Sequence, residues 1–160
     1  MFTSQSLRAV VPPGQVAIRE HRLDDVVLQL DISGSLAAEN VGEVARRIDA
    51  ALAAGVRWLI VDISGADPVE DPMLAALVAT AQELRSRRGE LIVAGASAPV
   101  AERLGRYDVS HRPALAANVD QAIMILKMLR PKTTVQRAEP RARQKITSLT
   151  LPRIEPRPLG

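Results

Sequence analysis

Two short apolar runs, Trp58-Leu59-Ile60-Val61 and Leu91-Ile92-Val93-Ala94, do most to limit the folds open to this chain. Neither alternates with polar residues, which is the pattern of a strand covered on both faces. Between them lies a stretch with helical period. Asp71 reads as its N-cap and Pro72 as its first helical residue, with Leu74, Leu77, Val78, Ala81 and Leu84 as the apolar stripe. Arg85, Arg87 and Arg88 suit the negative end of the helix dipole, and Gly89 is expected to end it. Strand, helix and strand in that order make a crossover, so the two strands run parallel.

The flanks extend this unit. Upstream, Val16 with Ile18 and then Val26 to Ile32 predict two short strands joined by a polar turn over Arg22 to Asp25, a hairpin, with Ser33-Gly34-Ser35 breaking the second. Asn40 is expected to cap a helix carrying Val41, Val44, Ile48 and Leu52, with Glu43 in its first turn and Gly55 at its close. Downstream, Ser97 and then Pro99 to Leu104 predict a short helix, and Val109 to Pro113 a weak extended piece. Asn118 caps a final helix to about Arg130, with Val119, Ala122, Ile123, Leu126 and Leu129 inward. The order β-β-α-β-α-β-α-(β)-α implies an α/β fold, a mixed, mostly parallel sheet of four to five strands with about four helices.

Residues 1–14 read as a flexible lead ending in the turn Pro12-Pro13-Gly14, 15–130 as the domain, and 131–160 as a tail. The tail has five prolines and no periodicity, the composition of a segment disordered when free. It also explains the charge. The chain carries a net +3, but the tail holds seven basic side chains against Glu139 and Glu155, which leaves residues 1–130 at −2. The domain is therefore not a basic nucleic-acid binder. Cations in the tail can make salt-sensitive phosphate contacts, although a solvated linker explains them as well.

Composition excludes several chemistries. With only Phe2, Trp58 and Tyr107 as aromatics, no stacking platform for single strands can be built. The absence of cysteine removes disulfides, thiol catalysis and thiolate metal sites. His21 and His111 stand 90 residues apart, with no spacing that suggests a metal pair. Glu70 and Asp71 are neighbouring carboxylates rather than an acid and base set around a substrate. Ser64-Gly65 follows a strand without a nucleophile elbow, and no phosphate-binding glycine loop is present. No catalytic residue, cofactor or metal is expected. The apolar stretches are too short to span a membrane and the first residues lack a secretion signal, so a cytoplasmic location is expected.

The stretch Val61-Asp62-Ile63-Ser64-Gly65-Ala66-Asp67-Pro68-Val69-Glu70-Asp71-Pro72-Met73-Leu74 resembles the central signature of STAS domains, the family of bacterial anti-sigma factor antagonists and of the cytoplasmic ends of sulfate transporters. Antagonist members carry a strand ending in D-L-S-G, four variable residues, and D-S-S-G-L opening a helix. Asp62 to Gly65 match the first part. Without gaps, Glu70 falls on the family's Asp, Asp71 and Pro72 on the two serines, Met73 on the glycine and Leu74 on the leucine. Gly34-Ser35-Leu36 is similar to the family's G-x-L, and Leu91 to Gly95 to its L-x-L-V-G strand. The resemblance covers roughly residues 15–130.

The resemblance implies a non-enzymatic regulator in a partner-switching pathway. Its partner would be an anti-sigma factor or a histidine-kinase-like ATPase, bound through Gly34, Glu70, Asp71, Pro72, Met73 and Leu74. In the family the first serine of D-S-S-G is phosphorylated, which releases the partner. Asp71 stands there with no hydroxyl, as either a permanent partial mimic of the phosphorylated state or simply a good helix start. A scaffold subunit of a transporter ATPase or of a multi-protein STAS assembly is the alternative role. A homodimer stays open.

Overall fold

A computed structural model describes residues 12–130. The expected lead up to residue 11 and the tail from 131 lie outside the described residues. The chain divides into two units, Met1–Met128 and Leu129–Gly160. The first unit carries the sheet.

Among the described residues, five strands form one sheet in chain order: β1 (Val16–Asp24), β2 (Val27–Leu36), β3 (Trp58–Val69), β4 (Glu90–Ala94) and β5 (Ala114–Ala116). β1 and β2 are antiparallel and every later pairing is parallel. Four helices follow the strands as α1 (Val41–Ala53), α2 (Asp71–Ser86), α3 (Ala98–Leu104) and α4 (Val119–Leu129). The mixed, mostly parallel architecture is the one the apolar runs predict.

Alternation along the strands builds two cores. Leu28, Leu30, Ile32, Leu59, Val61, Ile63, Leu91 and Val93 point to one face, where Val44 and Ile48 of α1, Leu74, Leu77, Val78 and Ala81 of α2, and Val100 and Leu104 of α3 cover them. Val27, Trp58, Ile60, Ile92, Ala94 and Ala116 point to the other, where Ala122 and Leu126 of α4 close over them. Among the described residues, three crossover helices thus share one face and a single helix holds the other.

Several boundaries differ from expectation. Ser33-Gly34-Ser35 does not break β2. Gly34 takes φ +96° inside the strand, a conformation that favours glycine, and pairing with β3 resumes beyond it. β3 runs on past its apolar part to Val69. The fifth strand is Ala114–Ala116 rather than 109–113. Asn40 precedes α1 without capping it. Its Nδ2 instead donates to the carbonyls of Gly14 and Ser35, at 3.1 and 2.8 Å, tying the turn at residues 12–14 to the end of β2. Asn118 does cap as expected, its Oδ1 accepting from the Gln121 amide at 2.8 Å.

The end of α2 also departs from expectation. Arg88, not Gly89, occupies the left-handed position at φ 65°, while the Gly89 amide closes back on the Leu84 carbonyl at 2.8 Å, the long bond of a Schellman ending. A side chain in that conformation costs roughly 1 kcal/mol relative to glycine. Arg88→Gly is therefore expected to raise stability by about 0.5–1 kcal/mol in urea titration; a loss would show that the Arg88 side chain holds the turn.

Candidate functional site

The site begins where β2 and β3 end side by side. Ser33 pairs with Gly65, Gly34 with Ala66 and Leu36 with Val69. The Glu70 amide then donates to the Leu36 carbonyl at 3.1 Å, so the start of α2 is fixed to the end of β2. Gly34 and the Glu70–Leu74 segment, far apart in sequence, lie at the same end of the sheet.

Glu70 makes a second tie. It occupies the N-cap position of α2, but its side chain does not cap the helix. Instead its Oε1 accepts from the Ala38 amide at 2.9 Å, in the 3-10 turn over Ala38–Asn40. The carboxylate thereby satisfies a backbone donor in the loop after β2. Asp71 is the first helical residue and not the cap, contrary to the expectation from sequence. Pro72 sits in the first turn, where its missing N–H costs nothing.

The Asp71 side chain is 82% exposed and pairs with Arg103 of α3, whose side chain is 30% exposed. Both Nε and Nη2 of Arg103 donate to Asp71 Oδ1, at 3.2 and 2.6 Å. Pro72 is exposed beside it. Met73 and Leu74 face the other way, buried at 0% and 1% exposure. Of the six residues read from sequence as partner-binding, Glu70, Asp71 and Pro72 present themselves to solvent, Gly34 shapes the neighbouring strand, and Met73 and Leu74 support the site from the core.

Sequence reasoning missed Arg103, which lies 32 residues from Asp71 on a different helix. No spacing rule links the two, and only the fold brings them together. It also missed the role of Gly95, at φ +76°, where an added Cβ would lie 2.6 Å from the Ser64 Cβ. That glycine lets the chain after β4 pass close to the Ser64 region of β3. Here Asp62 Oδ1 accepts from the Ser64 amide at 3.0 Å, where the pairing of β3 with β2 shifts register by one residue. Among the described residues, no group of three histidine, aspartate or glutamate side chains is placed to hold a metal ion, and no helix is long and apolar enough to cross a membrane.

The STAS domain family model matches residues 18–122 of this chain, a span that includes the strand ends, Gly34 and the start of α2. The chain belongs to the STAS domain family. No curated protein matches the sequence, but solved structures share the fold. An anti-sigma factor antagonist from Mycobacterium paratuberculosis is 21% identical with a TM-score of 0.62, covering 74% of this chain and 99% of its own. A single-residue variant of RsbS from Moorella thermoacetica is 19% identical with a TM-score of 0.59, covering 70% and 96%. The phosphorylated form of SpoIIAA, a Bacillus cell fate determinant, is 14% identical with a TM-score of 0.57, covering 68% and 98%. The STAS domain here therefore spans almost the full length of each.

Proposed function

We propose that this STAS domain is a non-catalytic regulator that binds an anti-sigma factor with a histidine-kinase-like ATPase fold. Its binding surface is the end of the sheet where Gly34, Glu70, Asp71 and Pro72 meet, with Met73 and Leu74 holding that surface from beneath. One observation carries the reading: the start of α2 is exposed yet rigidly tied to β2 through the Glu70 amide and carboxylate. A preordered surface loses little conformational freedom on binding. The STAS relatives that are anti-sigma factor antagonists support the choice of partner class. Residues 70–74 contain no hydroxyl, so no serine phosphate can be added there, and binding through this surface is not switched at that position.

The test is steric. Ala75 is exposed and lies one turn beyond Asp71 and Pro72, on the same side of α2. Ala75→Arg adds bulk without breaking the helix, because arginine is a good helix former. It is expected to weaken binding to a purified ATPase-type anti-sigma factor by at least about tenfold with stability changed by less than about 0.5 kcal/mol. Unchanged affinity would place the interface elsewhere. The scaffold reading, which the missing hydroxyl also suits, predicts instead that a transporter ATPase or another STAS protein binds while the anti-sigma factor does not.

A further inference from the structure

We propose that Arg103 sets the charge of the partner-facing surface: by donating from two nitrogens to one Asp71 oxygen, it turns the carboxylate at the phosphoserine-equivalent position into a neutral ion pair. The inference rests on the partner reading above for its consequence, and on the geometry of α2 and α3 for its cause.

Arg103 is well placed for this. It belongs to the last turn of α3, between Val100 and Leu104, both buried in the main core, so its stem is anchored while its guanidinium reaches the surface. Glu102, next in the chain, engages Arg106 at 3.9 Å, and Glu70 is held by the Ala38 amide. Asp71 is the acid that receives both Arg103 nitrogens.

The pair matters for its field rather than for its strength. Both groups see solvent, so the bond adds little to stability. A lone carboxylate, however, projects a unit charge to the Debye length of about 8 Å, whereas touching opposite charges largely cancel within that range. A phosphate of about −1.5 to −2 charge would stay negative beside one arginine, but an aspartate does not. Asp71 with Arg103 therefore fails to mimic a phosphorylated serine. Glu70 keeps its own charge beside the Ala38 amide, but at position 71 the helix start offers the partner an ordered contact without net charge, and binding stays permanently permitted.

Four full-length proteins decide the matter: wild type, Arg103→Gln, Asp71→Asn and the double variant. The first readout needs no partner. Relaxation enhancement of the backbone amide protons of residues 70, 71 and 73 by a cationic and by an anionic nitroxide cosolute reports the local potential. Arg103→Gln is expected to raise the cation-to-anion ratio about twofold, and the double variant to bring it back. A ratio that does not move overturns the proposal. The second readout is calorimetry with a purified histidine-kinase-like anti-sigma factor. Arg103→Gln is expected to weaken binding about tenfold, with affinity restored by adding Asp71→Asn and with the urea midpoint little changed. A raised ratio with undiminished binding also overturns it. If the wild type itself does not bind, the partner reading fails, and the nitroxide ratio still decides what Arg103 does to the charge.

Discussion

Gly89→Ala is expected to destabilise the domain by about 3 kcal/mol. A Cβ at this position would lie 1.7 Å from the Arg57 carbonyl oxygen and 2.6 Å from its carbon. Neither strand of backbone is free to retreat. The Gly89 amide is bonded to Leu84, and the Glu90 amide to the same Arg57 carbonyl at 3.0 Å, so relief would open the first bond between β3 and β4. Gly55→Ala supplies the comparison. Its φ of +97° disfavours a side chain, but nothing lies within 4 Å of the added atom, and the cost should stay near about 1 kcal/mol. Urea titration of both variants separates collision from backbone strain; equal losses would mean that the strands part easily at Arg57.

Leu74→Ala is expected to cost about 3 kcal/mol as well, through a cavity under the start of α2. Leu74 is 1% exposed and packs in the same core as Leu77 and Ile32. The same variant, measured at a temperature where it remains folded, is expected to bind the anti-sigma factor within about twofold of wild type. Ala75→Arg should do the reverse, sparing stability and removing affinity. The two neighbours thus divide core from surface, and a variant of Leu74 that stays stable but loses binding would put its side chain at the interface after all.

Much of this architecture is legible in the chain because apolar periodicity reports burial, and burial dominates here. Trp58 to Val61 and Leu91 to Ala94 are central strands, and Leu74, Leu77, Val78 and Ala81 form the inward stripe of α2, as their spacing requires. What periodicity does not encode is where a backbone continues when side chains no longer alternate. β2 passes through Gly34 because β3 stays beside it, a nonlocal cause. β5 lies later than the residues from Val109 suggest, because arginines shape the loop before it. Arg112 donates to the Gly105 carbonyl at 2.7 Å and Arg85 to that of Ser110 at 2.9 Å. Those contacts bridge separate elements and leave no local pattern.

The candidate site is legible in part for the same reason. The order of residues around Asp71 marks its location and the family it belongs to. Its electrostatics depend on an arginine from another helix. Asp71 also reads as a cap, since Asp-Pro is a favoured helix opening, but the cap position falls one residue earlier, on Glu70. There the carboxylate has a stronger local demand to meet, the otherwise unsatisfied Ala38 amide.

The placement of α4 has a consequence for how the protein is made. Synthesis delivers the sheet and all three crossovers before it delivers residues 119–129. Until they emerge, Trp58, Ile60 and Ile92 form a bare apolar wall on a nearly finished sheet. Nascent chains on one message hold such walls close together, and exposed apolar sheet surface is what drives association of incomplete chains. The vulnerable interval in the life of this protein is therefore the one between synthesis of the sheet and synthesis of α4, and a chain released before Val119 carries that wall permanently.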